Sequence, residues 1–191
     1  MRLVAITGSI GTGKTTLAKI VRDLGYNVYD IDAWVRRLYY RKEFIVKIGK
    51  IFPEVIVKNK VNKRVLRNIV FNDNKELKKL EALIHPFLDK ELKNIINKTS
   101  RTDYVNFIDV ALLFEMGWDK YVDLIIVTDV PYEIQKNRVV KRDNVTVEHF
   151  EQINKVQMNS EKKKELADVV INTDNELNLL KLALIDIIDS I

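Results

Sequence analysis

The fold of this chain is decided by a stretch near its start, residues 3–15, which reads LVAITGSIGTGKT. Its first five residues are apolar except for the last, and such a run predicts a short buried strand. Apolar side chains then recur at helical spacing over residues 15–24, which predicts a helix. Three of the six glycines in the chain, Gly8, Gly11 and Gly13, lie between the two. The stretch is therefore predicted to form a strand, a glycine-rich loop and a helix in direct succession.

The loop and the start of the helix, residues 8–15, match the motif G-x-x-x-x-G-K-[ST] in the strand-to-helix context that this motif requires. Glycines let the backbone wrap closely enough for successive N–H groups to point at phosphate oxygens, and the helix N-terminus adds positive potential. In this motif the lysine reaches the β- and γ-phosphates, and the following hydroxyl binds Mg²⁺. We therefore expect a nucleotide site formed by Gly11, Thr12, Gly13, Lys14, Thr15 and Thr16, with Thr15 as the magnesium ligand.

Composition excludes several classes of protein. The chain has 191 residues, of which 47% are hydrophobic and 31% charged, and this suits one folded domain or a domain with a subdomain. It contains no cysteine, so disulfides, thiolate metal sites and cysteine nucleophiles are excluded. No apolar run approaches the roughly 18 residues of a membrane helix, and the first apolar run is too short for a secretory signal. We expect a cytoplasmic protein that does not bind membranes.

The net charge is +5, from 32 basic and 27 acidic residues, and it favours an anionic partner. Nucleic acid and a phosphorylated small molecule both meet that description, and charge by itself does not choose between them. The densest basic run, residues 162–164, is flanked by Glu161 and Glu165. Such a pattern is typical of a solvated helix face, so this run is not predicted to be a nucleic-acid site.

Further strand patterns span residues 26–29, 104–110, 124–128 and 169–171, and helical sequence separates them. Strands that alternate with helices predict parallel β-α-β units. The last helix is predicted from one apolar stripe that packs on the core, formed by Leu177, Leu180, Leu184, Ile187, Ile188 and Ile191. The sequence therefore predicts an α/β fold with a five-stranded parallel sheet.

The long segment between the second and third strands, residues 34–98, is helical in pattern almost throughout. We expect interruptions near Pro53 and at Pro86, because proline removes a backbone donor and crowds the preceding turn. No strand pattern in the segment is convincing. His85 precedes Pro86, and the pair marks either a simple kink or a functional position. The segment is best explained as a helical insertion in the α/β core.

Among nucleotide-binding proteins, a small-molecule kinase fits best. A guanine nucleotide site would add Asn-Lys-x-Asp, and the pairs Asn59-Lys60 and Asn154-Lys155 both lack its aspartate. A nucleic-acid motor usually needs a longer chain with further modules. A kinase needs a carboxylate near the acceptor hydroxyl, positive charge over the phosphates and a second pocket for the acceptor.

Two pairs of residues are candidates for these roles. Asp30 and Asp32 follow the second strand, at the sheet edge where the glycine loop also lies. Side-chain alternation leaves only one of them for catalysis, and Asp32 is equally well placed to cap the next helix. Arg138 and Arg142 lie four residues apart on one helix face, where they either close over a triphosphate or remain solvated.

The ordered set of motifs resembles the dephospho-coenzyme A kinase family from residue 1 to about residue 180. It comprises residues 7–15, 27–32 (NVYDID) and 112–115 (LLFE), then 167–171 (ADVVI), with His85, Pro86, Gln135, Arg138, Arg142 and Gln157. The resemblance implies a three-layer P-loop kinase fold with a helical acceptor-binding insertion and a small helical lid. It implies ATP-dependent phosphorylation of the ribose 3′-hydroxyl of dephospho-CoA, with Mg²⁺ as cofactor and no nucleic-acid partner.

The resemblance also implies a division of the chain. The core comprises residues 1–40 and 99–191, the acceptor-binding insertion spans about 41–98, and the lid spans about 138–150. The catalytic residues it implies are Asp32 as base or orienting group, with Lys14, Arg138 and Arg142 as charge stabilisers.

In the acceptor pocket, the resemblance implies His85, Leu113 and Glu115. Lys63 stands where the family usually has an arginine, and an ammonium cannot make the two-pronged contact of a guanidinium, so neighbouring Arg64 is the alternative. Asp109, after the third strand, is implied to reach magnesium through water.

Two other functions remain as alternatives at this point. The first is a kinase of the same class that acts on another nucleoside or nucleotide. The second is an ATPase switch module with the same phosphate loop, which the sequence pI near 9.2 motivates.

Overall fold

The structure, a computed structural model, describes residues 2–101 and 104–191, and the side chains of all of these except residues 71 and 72. It divides into two units. The core unit contains Met1–Asp30 and Lys98–Ile191, and the helical unit contains Ile31–Asn97. The insertion proposed from the sequence, about 41–98, begins one helix later than the helical unit.

Strand β1 (Arg2–Thr7) lies at the centre of a five-stranded sheet in the core unit. Its neighbours are β5 (Val105–Asp109) and β6 (Leu124–Asp129), and the edge strands are β2 (Asn27–Asp30) and β7 (Val169–Asn172). The order is β2-β5-β1-β6-β7, and each pairing is parallel. The predicted parallel sheet is confirmed. The carboxyl ends of its strands therefore share one edge, which is where ligands bind in such sheets.

Five helices lie wholly within the described part of the core unit. They are α1 (Lys14–Asp23), α6 (Tyr132–Asp143), α7 (Val147–Val156), α8 (Ser160–Glu165) and α9 (Leu177–Asp189), with a short 3₁₀ helix over Asp119–Tyr121. One buried cluster joins β1, α1 and α9, and it includes Val4, Ile6, Leu17, Val21, Leu180, Leu184 and Ile188. The apolar stripe predicted for α9 is thus largely confirmed. Leu177 is the exception, because it lies at the first position of the helix and is 63% exposed.

The helical unit consists mainly of four helices. They are α2 (Ile31–Leu38), α3 (Lys42–Ile51), α4 (Lys63–Asn72) and α5 (Asn74–Thr99), with a 3₁₀ turn over Pro53–Val55, and α5 ends in the core unit. The predicted interruption at Pro86 is wrong, because Pro86 lies inside the 26-residue α5. One lost hydrogen bond is outweighed there by burial of the apolar face, which includes Leu80, Leu88, Leu92 and Ile95.

The helical unit also contains strands that the sequence did not indicate. β3 (Ile56–Val57) and β4 (Lys60–Val61) form an antiparallel hairpin of two residues each. Its turn residues, Lys58 and Asn59, both have positive φ, as the tightest hairpin turns require. Strands this short leave no periodic pattern to detect. Within the described part of the chain, no helix is both long and apolar enough to span a membrane.

Candidate active site

The glycine loop between β1 and α1 ends in the left-handed backbone that its sequence predicts. Gly11 and Gly13 have φ values of 81° and 85°. Gly13 is the N-cap of α1 and brings no capping side chain, and the Thr16 N–H donates to the Gly13 carbonyl oxygen at 2.9 Å. Thr15 and Thr16 are exposed at this end of α1. This arrangement fits a cradle for phosphate oxygens.

The loop has no room for larger residues at its glycines. A Cβ atom on Gly11 would lie 2.6 Å from Val139 Cγ2 and 2.8 Å from the Gln135 carbonyl oxygen, and one on Gly13 would overlap Thr173. Helix α6 and the end of β7 therefore pack directly against the loop. The glycines are needed for this close approach as well as for the backbone conformation.

Buried hydroxyl groups form hydrogen bonds that hold the glycine loop in place. Thr12 donates from Oγ1 to the Ser9 carbonyl oxygen at 2.8 Å, and Thr128 donates from Oγ1 to the Thr7 carbonyl oxygen at 3.2 Å. The two hydroxyl oxygens lie 2.7 Å apart, and either can be the donor between them. Thr173 donates to the Thr12 carbonyl oxygen at 2.6 Å. Thr128 and Thr173 come from β6 and from the residue after β7, and they were not among the predicted site residues. Their only signal in the sequence is a hydroxyl near the carboxyl end of a strand.

Two predicted site residues, Lys14 and Asp109, form an ion pair. Lys14 Nζ lies 2.5 Å from Asp109 Oδ1, and the two side chains are 11% and 4% exposed. Asp109 ends β5 and is in register with Asp30 at the end of β2. The carboxyl edge of the sheet therefore carries two adjacent carboxylates and the loop lysine.

Asp32 follows two residues after Asp30, in the first turn of α2. The helix begins at Ile31, so the expectation that Asp32 caps it is wrong. Its carboxylate instead lies within the first turn, where negative charge stabilises a helix. The side chain is exposed, which leaves it accessible to a substrate hydroxyl.

The two predicted lid arginines have different surroundings. Arg138 donates to Thr173 Oγ1, to the Thr173 carbonyl oxygen and to Asp174 Oδ1, each at 3.2 Å. Because Thr173 also binds Thr12, Arg138 lies two hydrogen bonds from the glycine loop. Arg142 is paired with its neighbour Asp143 at 2.7 and 2.8 Å, and this hydrogen bonding raises the pKa of its guanidinium. Arg138 is thus connected to the loop through Thr173, whereas Arg142 pairs with its neighbour Asp143.

The predicted acceptor residues of the helical unit are exposed. Lys63 Nζ lies 5.1 and 4.7 Å from the ring centres of Tyr39 and Tyr40, and it donates to the Arg36 carbonyl oxygen at 3.4 Å. Burial raises the pKa of Tyr39 to about 12, so its ring stays neutral beside the ammonium. Arg64, next along α4, and His85, inside α5, are both exposed.

The other two acceptor residues, Leu113 and Glu115, lie in the core unit. Leu113 is completely buried, so its side chain presents no surface to an acceptor in this structure. Glu115 Oε1 accepts from the Met158 N–H at 2.7 Å and pairs with Lys163 Nζ at 3.1 Å. Glu115 therefore joins the segment after β5 to the segment after α7.

Lys163 corrects one expectation about the basic run at 162–164. Lys162 is exposed, but Lys163 is fully buried and donates to the Ala111 carbonyl oxygen at 3.0 Å in addition to its pair with Glu115. Burial lowers the pKa of the Lys163 ammonium, against the attraction of Glu115. The run is not a uniformly solvated face, because one side of the short helix α8 packs on the segment after β5.

Comparison with known proteins decides the family. The sequence model of the dephospho-CoA kinase family matches residues 2–178. The chain belongs to the dephospho-CoA kinase family. A dephospho-CoA kinase of Bartonella quintana is 38% identical over 178 residues, which are 93% of this chain and 91% of that protein.

Solved structures support the fold. A Thermus thermophilus protein superimposes with a TM-score of 0.84 at 31% identity, covering 100% of this chain and 97% of its own. A dephospho-CoA kinase of Campylobacter jejuni gives a TM-score of 0.74 at 24% identity over 100% and 99% of the two chains, which supports the fold. The chain is thus a kinase with the P-loop kinase fold that the sequence predicts, and as a member of this family it uses ATP as co-substrate.

Proposed function

We propose that this chain transfers the γ-phosphoryl group of ATP to the ribose 3′-hydroxyl of dephospho-CoA, giving CoA and ADP. The observation that carries the proposal is the glycine loop that opens α1 with Lys14 and Thr15, in a chain that belongs to the dephospho-CoA kinase family. The bond from the 3′-oxygen to the γ-phosphorus forms as the bond from that phosphorus to the β–γ bridging oxygen breaks. The hydroxyl proton passes to a carboxylate and then to solvent.

The loop residues bind the phosphates of ATP. Backbone N–H groups of residues 11–16 contact the phosphate oxygens, which suits the left-handed glycines and the start of α1 without a side-chain cap. The N–H groups of Thr12 and Thr16 donate to the Ser9 and Gly13 carbonyl oxygens at 3.3 and 2.9 Å, so they share these hydrogen bonds with the phosphates. Lys14 exchanges part of its contact with Asp109 for the β- and γ-phosphates. Its charge then stabilises the negative charge that develops during transfer, together with Arg138 and Arg142 from the lid.

Magnesium fits the donors at this edge. In the described part of the chain no cluster of three or more His, Asp or Glu side chains forms a metal site by itself. Mg²⁺ keeps several waters and binds through one or two protein oxygens and the substrate phosphates, and the exposed Thr15 hydroxyl and the Asp109 carboxylate at the end of β5 supply such oxygens. We assign the Thr15 hydroxyl as a direct ligand and the Asp109 carboxylate as a ligand through water. When bound, the ion neutralises charge on the β- and γ-phosphates.

Asp32 manages the proton of the acceptor hydroxyl. Its exposure at the start of α2 supports this role, and Asp30, the alternative, ends β2 in register with Asp109. A carboxylate in this role orients the hydroxyl and accepts its proton as the new bond forms.

The helical unit binds the acceptor. A cleft of about 200 Å³ within it is lined in part by Trp34, Arg41, Lys47, Phe87 and Lys90. Arg41 lies 5.0 Å from the Trp34 ring centre and Lys47 lies 4.7 Å from that of Phe87. The Trp34 Nε1 atom is buried and has no hydrogen-bond partner among the described residues. The cleft also contains the carboxylates Glu43 and Glu91, and Glu43 pairs with Lys47 at 3.0 Å. Its three cations outnumber these two carboxylates, which suits the diphosphate of dephospho-CoA, and the cleft is too small for the whole molecule.

The remaining acceptor assignments are Lys63 or Arg64, His85, Leu113 and Glu115. Of these, Leu113 acts by shaping the segment that carries Glu115, because its side chain is buried. ATP and dephospho-CoA are the only partners proposed, without nucleic acid or membrane, and the proposed location is the cytoplasm.

A substrate panel tests the proposal. The protein is incubated with Mg·ATP and either dephospho-CoA, AMP, CMP or dTMP, and the products are separated. We expect ADP to form rapidly only with dephospho-CoA, with the new phosphate on the 3′-oxygen. Preferential phosphorylation of a nucleotide would show a kinase of another specificity. ATP hydrolysis without acceptor transfer, together with nucleic-acid binding that survives about 200 mM salt, would show a switch module.

A further inference from the structure

The backbone of Ile10, in the middle of the glycine loop, is held on both sides by glutamine side chains. The Ile10 N–H donates to Gln157 Oε1 at 2.9 Å. The Ile10 carbonyl oxygen accepts from Gln135 Nε2 at 2.7 Å. Gln135 is only 4% exposed and Gln157 is partly buried. Since a backbone N–H can only donate and a carbonyl can only accept, these contacts also settle the orientation of both amides.

Each contact controls a different peptide plane. Peptide units are planar, so a carbonyl that is held in place fixes the N–H of the next residue. Gln135 therefore fixes the N–H of Gly11, the first donor of the phosphate cradle. Gln157 fixes the unit that joins Ser9 to Ile10, whose carbonyl oxygen receives the Thr12 hydroxyl.

The two glutamines come from the elements that follow β6. Gln135 lies in the first turn of α6, and Gln157 is the residue at which α7 ends. Gln135 also contacts α7, because its Nε2 lies 3.5 Å from Asn154 Oδ1. The loop is thereby attached to both helices of the segment proposed as the lid.

We infer that Gln135 and Gln157 are positioning residues, which clamp the Ile10 peptide groups and so hold the phosphate cradle in its binding geometry. The inference rests on the proposed nucleotide site and not on the identity of the acceptor. A pre-set loop binds phosphates without first ordering its own N–H groups, so removal of either amide weakens nucleotide binding. Because Gln135 belongs to α6 and Gln157 lies at the end of α7, nucleotide affinity then also depends on how these two helices pack.

The opposite hydrogen-bonding roles of the two glutamines make a sharp test. Gln157 acts as an acceptor, and glutamate retains an acceptor oxygen of the same reach. Gln135 acts as a donor, and a glutamate carboxylate cannot donate to the Ile10 carbonyl. Gln157→Glu should therefore keep the hydrogen bond from the Ile10 N–H. Gln135→Glu should lose the hydrogen bond to the Ile10 carbonyl oxygen and place a carboxylate oxygen against it. Methionine at either position removes the hydrogen bond at similar volume.

The experiment uses the full chain without acceptor and compares Gln135→Met, Gln157→Met and both glutamate variants with Gln152→Met. Gln152 is exposed on α7 and serves as the matched control. Calorimetry measures the Kd of ATP and ADP, NMR measures amide exchange at Ile10, and thermal denaturation measures Tm. Both methionine variants should bind ATP about tenfold more weakly, and Gln157→Met should accelerate Ile10 exchange about tenfold, as expected for one lost hydrogen bond. Gln157→Glu should keep Ile10 protected.

Kinetics separate positioning from a general structural role. KM for ATP should rise about tenfold in both methionine variants, while KM for dephospho-CoA changes less than twofold. Nucleotide Kd values within twofold of the Gln152→Met control would overturn the inference. So would equal losses for both substrates that track a fall in Tm, or a Gln135→Glu variant that binds ATP as well as Gln157→Glu. Failure of dephospho-CoA to act as acceptor would leave these binding measurements intact and would count only against the proposed reaction.

Discussion

The glycine loop of the core unit and the candidate acceptor residues of the helical unit are held by different kinds of contact. Around the loop, buried hydroxyls and amides form hydrogen bonds at fixed distances, such as Thr128 to Thr12 at 2.7 Å and Gln135 to Ile10 at 2.7 Å. In the helical unit, exposed cations such as Lys63 and Arg41 lie over aromatic rings at about 5 Å. Hydrogen bonds define direction, whereas ring contacts tolerate movement. We therefore expect the proposed nucleotide site to be formed in advance and the proposed acceptor site to adapt.

The largest loss of activity is expected at Asp32, which belongs to the helical unit and not to the preformed glycine loop. It is therefore the strongest test of the comparison. Asp32→Asn should lower kcat by about 10²- to 10⁴-fold, since the amide cannot accept the hydroxyl proton. ATP binding should be nearly unchanged. Steady-state kinetics measures kcat, and calorimetry measures the Kd of ATP. Asp30→Asn is measured in parallel. Near-normal turnover of Asp32→Asn, with loss in Asp30→Asn, would move the role to Asp30.

Lys14 tests the glycine loop of the core unit. Lys14→Ala should lower kcat at least roughly 10²-fold, because it removes a charge placed in advance for the transition state. The change also breaks the buried pair with Asp109, so Tm is measured together with kcat. Asp109→Asn breaks the same pair and leaves Lys14 in place. If both variants lose equal activity and equal Tm, the pair supports folding and Lys14 has no separate catalytic role.

Thr128 tests whether buried hydroxyl hydrogen bonds fix the shape of the glycine loop. Thr128→Val should raise KM for ATP severalfold and lower the free energy of unfolding by about 1–2 kcal/mol, because a buried hydrogen bond to Thr12 is lost. For a chain of this size the loss corresponds to a fall in Tm of roughly 2–8 °C. Thr128→Ser keeps the hydroxyl and is the control. Equal KM values in the two variants would mean that the hydroxyl network does not shape the loop.

Lys63 should give the smallest effect, as expected for an adaptable site. Lys63→Ala should raise KM for dephospho-CoA up to about fivefold and leave KM for ATP unchanged, since an exposed charge contributes about 1 kcal/mol or less. Lys63→Arg should lower the same KM, because guanidinium binds phosphate through two parallel hydrogen bonds. Lys60→Ala, at an exposed lysine in β4, is the control. A large loss of kcat in Lys63→Ala would place this residue in the catalytic step.

The parts of the molecule that were predictable from sequence are those governed by local pattern. Buried apolar runs predicted the five strands of the main sheet. The glycine motif predicted the loop and a helix from residue 15, one residue after α1 begins at Lys14. The hairpin of β3 and β4 was missed because its strands have two residues each. The continuity of α5 through Pro86 was missed because tertiary packing outweighs the local penalty.

Contacts around the site were less predictable because they join distant parts of the chain. The hydrogen bonds of Thr12 reach residues 116 and 161 positions away. Gln135 and Gln157 were recognised as members of the motif set, but their contacts with Ile10 span similar distances along the chain. The burial of Lys163 depends on Glu115 and Ala111, which no local pattern connects with α8.

The path of α5 has a consequence for engineering this chain. β2 and β5 are adjacent and parallel, so the segment between them must carry the chain from the end of one strand back to the start of the next. α5 is the last helix before β5, and its final residues belong to the core unit. The helical unit is therefore the crossover connection of the sheet as well as the proposed acceptor site. It cannot be excised as a cassette, and because α5 also carries proposed acceptor residues such as His85, a transplant that changes acceptor specificity has to supply a helix that still returns the chain to β5.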